Sequence, residues 1–299
     1  MESRGLELLD RLRTGPPLLL DGATGTELER RGVATPLPLW SAPALFETPE
    51  ILAEIHADYA DAGVEVLTAN TFRTQRRTLA RGGWGDRAEA ATLRAVEIAR
   101  RAAERSAGTP FVVGSAPPLE DCYRPDLVPD DASLAREHAE HAGYLARAGV
   151  DAVLVETMNT IREARAALRA VREAGSIAWV GFVCWDGAAL LSGESLARAA
   201  EIVADEGASA VLVNCLPPAN VPACSRVLAE SALPFGVYAN LGAPDHESGF
   251  ARSDDCTPRA FAAHVLDWCA AGARIVGGCC GTTPVHLRAS AEQIARNVT

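Results

Sequence analysis

Short apolar runs alternate with longer amphipathic stretches along the whole chain, and each pairing reads as a strand followed by a helix. The first run, Leu18–Asp21, ends on a carboxylate and Gly22, and Ala23–Gly32 reads as a helix closed by glycine. Pro36–Pro43 is a proline-rich loop that carries Trp40. A helix is expected over Thr48–Gly63, with Thr48 as its N-cap and Pro49 in its first turn. Val64–Leu67 is the second strand and runs into Thr68 and Asn70; a glycine-containing connection then leads to an alanine-rich helix over Asp86–Ala107. Phe111–Gly114 is the third strand, with a long loop, Ser115–Ala132, behind it. The second half repeats the scheme. Strands are expected at Ala152–Val155, Trp179–Val183, Ala210–Val213, Phe235–Tyr238 and Arg274–Val276. Helices are expected at Ser133–Ala148, Thr160–Ala174, Ser195–Glu206, about Asn220–Ser231, Thr257–Ala271 and Pro284–Asn297.

The count is eight strands, each followed by a helix or a connection long enough to hold one. The strands are continuously apolar rather than alternating, as in a parallel sheet buried on both faces. No linker or shift in composition divides the 299 residues, so the expectation is one (β/α)8 barrel spanning residues 1–299 as a single domain. An open doubly wound sheet with fewer strands is the alternative.

Composition narrows the partners. The formal charge is −11 and no run of basic residues stands out, which argues against nucleic acid. No apolar run approaches the ~18 residues needed to span a membrane. The N-terminal stretch, MESRGLELLDRLRTG, is charged and amphipathic and lacks a signal-peptide core. Eight cysteines are too few for a disulfide scaffold in a chain this long, so reduced thiols in a cytoplasmic protein are expected. Oligomeric state is not legible.

The candidate chemistry gathers at strand ends. In a parallel barrel these ends share one rim, where active sites form. The first strand ends on Asp21, the fourth on Glu156 and Thr157, the sixth on Asn214 and Cys215, and the eighth on Gly277, Gly278, Cys279 and Cys280. The paired glycines allow close approach of backbone at a crowded site. Adjacent thiols have three bland readings: buried small hydrophobes, a disulfide, or a redox pair. Zinc ligation competes with these if a third ligand lies nearby, and Cys215, two strands away, supplies it. Three thiolates leave one position open, which marks a catalytic rather than a structural zinc site. Cys184 also ends a strand and is a candidate fourth ligand, while Cys122, Cys224, Cys256 and Cys269 read as packing or loop residues. None of the six histidines ends a strand; His246 falls in the loop Asn240–Cys256. Such a zinc is a poor Lewis acid for carbonyls or water, but it can hold a bound thiol as thiolate at neutral pH, where a free thiol (pKa about 8.5) is mostly protonated. That chemistry suits transfer of an alkyl group to sulfur.

The stretches LLLDGATGTELERRG, PLWS, VEVLTANTF, VLVETM, VLVNCLPP, VYANLG and VGGCCGTTPVHL resemble the homocysteine S-methyltransferase family over residues 18–290. The resemblance implies that Cys215, Cys279 and Cys280 hold zinc and that the homocysteine sulfur takes the fourth place. It also implies a substrate-binding acid at Glu156, with Asp21 as a second rim carboxylate suited to the ammonium. Thr68 and the backbone near Gly22–Thr26 are candidates for the substrate carboxylate or for positioning, and Trp40 and Tyr238 for pocket walls. The family's methyl donors are S-methylmethionine, S-adenosylmethionine, betaine or a methylfolate; a sulfonium is expected in a short member. The loop SAPPLEDCYRPDL and the strand end YANLG depart from the family's usual pattern at the active face, so the donor is the least determined feature. Rival readings are a methyltransferase for another thiol or selenol, a betaine-using enzyme, and a non-catalytic zinc- or redox-responsive thiol protein.

Overall fold

A computed structural model describes residues 2–243, 251–252 and 256–297. Eight parallel strands form one sheet: β1 (Leu18–Leu19), β2 (Val66–Ala69), β3 (Phe111–Ala116), β4 (Ala152–Met158), β5 (Ala178–Phe182), β6 (Ala210–Asn214), β7 (Phe235–Ala239) and β8 (Ile275–Gly278). Neighbours follow chain order from β2 to β8, and β1 pairs with β8. Leu20 then bridges Val66, so the first and second strands meet and the sheet closes. The closing contacts are Asp21 N to Val66 O at 3.0 Å and Glu65 N to Leu19 O at 2.8 Å. The fold is the expected (β/α)8 barrel and not an open sheet.

The apolar runs lack a visible period because both strand faces are buried, yet the period of two is present in space. Along β6, Ala210 and Leu212 point into the barrel interior, while Val211 and Val213 pack outward in the layer between sheet and helices. The interior is filled by large side chains such as Leu154, Trp179, Leu212 and Ile275, so the barrel is a packed core, not a pore.

The amphipathic N-terminal stretch is a helix, Glu2–Thr14, that closes the bottom of this core. Leu8 and Leu12 join the interior cluster and are fully buried. Arg4 donates to the carbonyls of Thr109 and Pro110 just before β3, and Arg274, just before β8, donates to the carbonyl of Leu12. Leu12→Ala is expected to lower stability by about 2–5 kcal/mol, the usual range for emptying a buried leucine site. Urea unfolding of wild type and variant would measure it; an unchanged midpoint would show the helix to be a dispensable appendage.

Several boundaries differ from the sequence reading. β4 continues to Met158 and β3 to Ala116, so Glu156 and Ser115 lie on strands rather than just beyond them. A short helix, Arg76–Arg81, lies in the glycine-containing connection after β2, ahead of the expected helix at Asp86. Thr48 occupies the expected cap position of helix Pro49–Asp61, but its hydroxyl makes no capping bond and is buried without a partner. Thr257 does cap its helix, accepting from Ala260 N at 3.3 Å. A two-stranded ribbon, Gly242–Ala243 with Ala251–Arg252, follows β7. His246 and much of the loop Asn240–Cys256 lie outside the described residues. Among the described residues no helix is long and apolar enough to cross a membrane.

Candidate metal centre and substrate pocket

The C-terminal ends of the strands open onto one pocket, and all eight residues singled out from the sequence line it. The sulfurs of Cys215, Cys279 and Cys280 come from β6 and β8 and lie within 4.8 Å of one another. Cys215 Sγ is 3.1 Å from Cys279 Sγ, well beyond a disulfide bond length of about 2.05 Å, and all three thiols are free. Tetrahedral ligation at a Zn–S distance of about 2.3 Å needs sulfurs about 3.8 Å apart, so a small opening of the trio suffices. Cys215 is held well below its ordinary range, chiefly because Cys279 and Cys280 donate S–H bonds to it, while those two are pushed up. The three sulfurs, those of Cys215 and Cys280 buried and that of Cys279 half-buried, thus favour the thiolate at Cys215. A compact all-sulfur set at a strand-end rim fits zinc, with one position left for an exogenous ligand.

The crowding that the glycines signalled is visible at β8. A Cβ on Gly277 would stand 2.8 Å from Leu20 Cβ and 3.1 Å from the carbonyl of Asp21, so only glycine lets β8 pass β1 here. Beyond the strand, Cys279 N donates to Ala239 O at 2.9 Å and Gly281 N to Thr26 Oγ1 at 3.0 Å, which anchors the two-cysteine turn. Cys215 itself has φ of 53° and Thr157 across the rim has φ of 59°. Side chains rarely adopt this left-handed region, and a β-branched residue does so at a cost of about 1–3 kcal/mol. A reciprocal clamp holds both. Thr157 N donates to Asn214 Oδ1 at 3.0 Å, and Asn214 Nδ2 donates to Thr157 Oγ1 at 2.8 Å. Asn214 is fully buried, so the clamp aims Cys215 into the pocket without water's help.

Two carboxyls share the pocket floor. Asp21 Oδ2 accepts from Thr68 N at 2.8 Å and its Oδ1 from Thr68 Oγ1 at 2.9 Å. Glu156 Oε2 accepts from the Tyr238 hydroxyl at 3.0 Å, and Oε1 accepts a very short bond from the Ser115 hydroxyl. Burial pushes Asp21 up to about 8 and Glu156 up to about 7, against the pull of these donors. Among the described residues neither carboxyl has a basic partner, and a cation brought beside them would favour their charged forms. Thr68 and Tyr238 thus hold the two acids by hydrogen bonds, the positioning role open to Thr68. Trp40 stands at the wall, edge-on to Phe72 with ring centroids 6.3 Å apart.

Cys184 is not part of the trio. It is fully buried in the layer outside the sheet and hydrogen-bonds Cys224. Sequence reasoning missed four contributors: Ser115, Cys122, Tyr123 and Arg73. Cys122, read as a packing or loop residue, lines the pocket. Tyr123 lies against Trp185 at 5.0 Å and its hydroxyl donates to Cys215. All four belong to the loops after β2 and β3 or their edges, where no period points to them. Proximity to the strand ends was the available signal.

A closed parallel barrel with a three-thiol metal site and two buried acids on its rim defines a metal-dependent barrel methyltransferase acting on sulfur. A sequence profile described as homocysteine S-methyltransferase matches residues 18–294. The chain belongs to the homocysteine S-methyltransferase family. It is 33% identical over 293 residues to a homocysteine S-methyltransferase of Escherichia coli K12, covering 91% of this chain and 93% of that one. It is 29% identical over 310 residues to a selenocysteine methyltransferase of Astragalus bisulcatus, covering 92% of each. The metallated crystal structure of the homocysteine methyltransferase MmuM from Escherichia coli superposes with a TM-score of 0.84 at 31% identity, over 97% of this chain and 99% of that one. The apo form of the same protein gives a TM-score of 0.76 over the same shares.

Proposed function

We propose that the protein transfers a methyl group from a sulfonium donor to the thiol of L-homocysteine, giving methionine, in the cytoplasm. The observation that carries this reading is the meeting of Cys215, Cys279 and Cys280 with Asp21 and Glu156 in one pocket. Zinc on the three cysteines would supply one open position at which the acceptor thiol loses its proton at neutral pH. The remaining work belongs to the protein. Asp21 and Glu156 take the acceptor's ammonium, which restores both carboxylates to their charged form and fixes the amino-acid end. Thr68, Ser115 and Tyr238 hold those acids in position before substrate arrives. The ring of Trp40 suits a cationic donor at the pocket wall. In the transfer a new S–CH3 bond forms as the donor's sulfonium S–CH3 bond breaks. The donor leaves as a neutral thioether, and the acceptor's thiol proton goes to solvent. Likeness to a selenocysteine methyltransferase favours a selenol as a second acceptor of the same kind.

The test is methionine formation by zinc-loaded protein with homocysteine and, in parallel, S-methylmethionine, S-adenosylmethionine or betaine. Turnover with a sulfonium and not with betaine is expected. Stoichiometric zinc without turnover on any donor would overturn the homocysteine assignment.

A further inference from the structure

We infer that Arg73 is a specificity residue that receives the carboxylate of the methyl donor. Arg73 lies just beyond β2 and lines the same pocket as the cysteines and the two acids. Its Nε is buried and has no hydrogen-bond partner among the described residues. Among the described residues it makes no ion pair; its guanidinium lies over the Phe72 ring, 5.2 Å from the centroid. The next arginines along the chain behave differently. Arg76 pairs with Glu140 at 2.8 Å, Arg77 with Glu137 at 2.7 Å, and Arg81 with Glu120 at 2.5 Å. In a chain of net charge −11, carboxylates are plentiful, and the one arginine of this stretch that lines the pocket is the one without a carboxylate partner among the described residues.

A half-buried guanidinium lacking a counter-ion calls for an anion, and its planar fork fits a carboxylate with two parallel N–H bonds. The segment that carries it is firmly held. Asn70 exchanges bonds with Ser41 at 2.6 and 3.0 Å, and Thr71 Oγ1 donates to Ser115 O at 2.8 Å. Arg73 is thus presented by a fixed wall rather than a free loop. The acceptor's anchors, Asp21 and Glu156, lie at the strand ends on the floor. Arg73 lies past the strand-end turn beside Phe72, which packs on Trp40, and a sulfonium would sit against the Trp40 ring. Asp121 lines the same side and makes no ion pair among the described residues, which leaves a carboxylate for a donor's ammonium. An amino-acid sulfonium presents both groups, whereas betaine offers only the carboxylate beside its fixed cation.

The inference rests on the methyl-transfer reading, and the experiment separates the two. Zinc-loaded wild type, Arg73→Gln and Arg73→Lys are assayed with homocysteine and either S-methylmethionine or its decarboxylated counterpart, (3-aminopropyl)dimethylsulfonium. For Arg73→Gln the KM for S-methylmethionine is expected to rise about 10–100-fold, the range for losing a charged hydrogen-bonded pair. The KM for homocysteine is expected to stay within about threefold, and the decarboxylated donor to be used equally by wild type and variant. Arg73→Lys should recover part of the loss. Equal losses with both donors, or a rise confined to the KM for homocysteine, would overturn the assignment of Arg73 to the donor. Absence of wild-type turnover with every donor would overturn the methyl-transfer reading and the inference with it.

Discussion

Cys215→Ala is expected to release the metal and to lower kcat/KM for homocysteine by at least about 1,000-fold. Two contributions set that size. At neutral pH a free thiol with pKa about 8.5 is only a few per cent thiolate, so loss of metal activation alone removes a factor of about 30. Loss of a fixed position for the nucleophile removes about 100-fold more, the scale of a 1 Å misplacement. Cys215 alone of the trio has positive φ, 53°, and the neighbouring Thr157–Asn214 clamp is untouched by the substitution, so alanine keeps the backbone in place and removes only the sulfur. A strong chelator should reproduce the loss in wild type. Cys184→Ala is the control: that thiol packs outside the sheet with Cys224, and its removal should leave zinc content near one per chain and activity near wild type. Metal analysis with steady-state kinetics on the two variants decides. Retention of zinc and activity by Cys215→Ala would show that the trio is not the catalytic metal site.

Glu156→Gln is expected to raise the KM for homocysteine by about 30–100-fold while zinc remains bound. The amide keeps the shape of the acid, and the hydroxyls of Ser115 and Tyr238 can turn to suit it, so the pocket need not collapse. What disappears is the charge that meets the substrate ammonium, and a charge-assisted bond in a dry pocket is worth about 1.5–3 kcal/mol. Asp21→Asn is a parallel change. Its amide oxygen can accept from Thr68 N while the Thr68 hydroxyl turns to accept from the amide nitrogen. Its loss should therefore fall on substrate binding rather than on stability. Kinetics with homocysteine, together with metal content, separate a binding role from a structural one. A Glu156→Gln enzyme with unchanged KM would remove the acid from the substrate site.

The barrel was legible because its strands carry a strong local signal: a short run of apolar residues that ends abruptly on a polar or glycine residue. The rim followed from one topological rule, since every strand of a parallel barrel points the same way. Asp21, Glu156, Cys215, Cys279 and Cys280 could thus be placed together although more than 250 residues separate the first from the last. The contributors that were missed are held by tertiary context. Ser115 matters only because β3 runs two residues further than its apolar core suggests, which brings its hydroxyl to Glu156. Tyr123 and Arg73 lie in connections whose shape depends on contacts made across the barrel mouth. Thr48 shows the opposite failure. It has the right residue type at the right place for a cap, yet its hydroxyl is buried and makes no capping bond among the described residues.

The central claim is that three cysteines hold zinc with one place reserved for the acceptor's sulfur. The most direct measurement is zinc-edge X-ray absorption on the zinc-loaded protein, alone and with L-homocysteine. Three sulfur neighbours and one light atom are expected without substrate, and four sulfurs at about 2.3 Å with it. A coordination shell that homocysteine leaves unchanged would contradict the account.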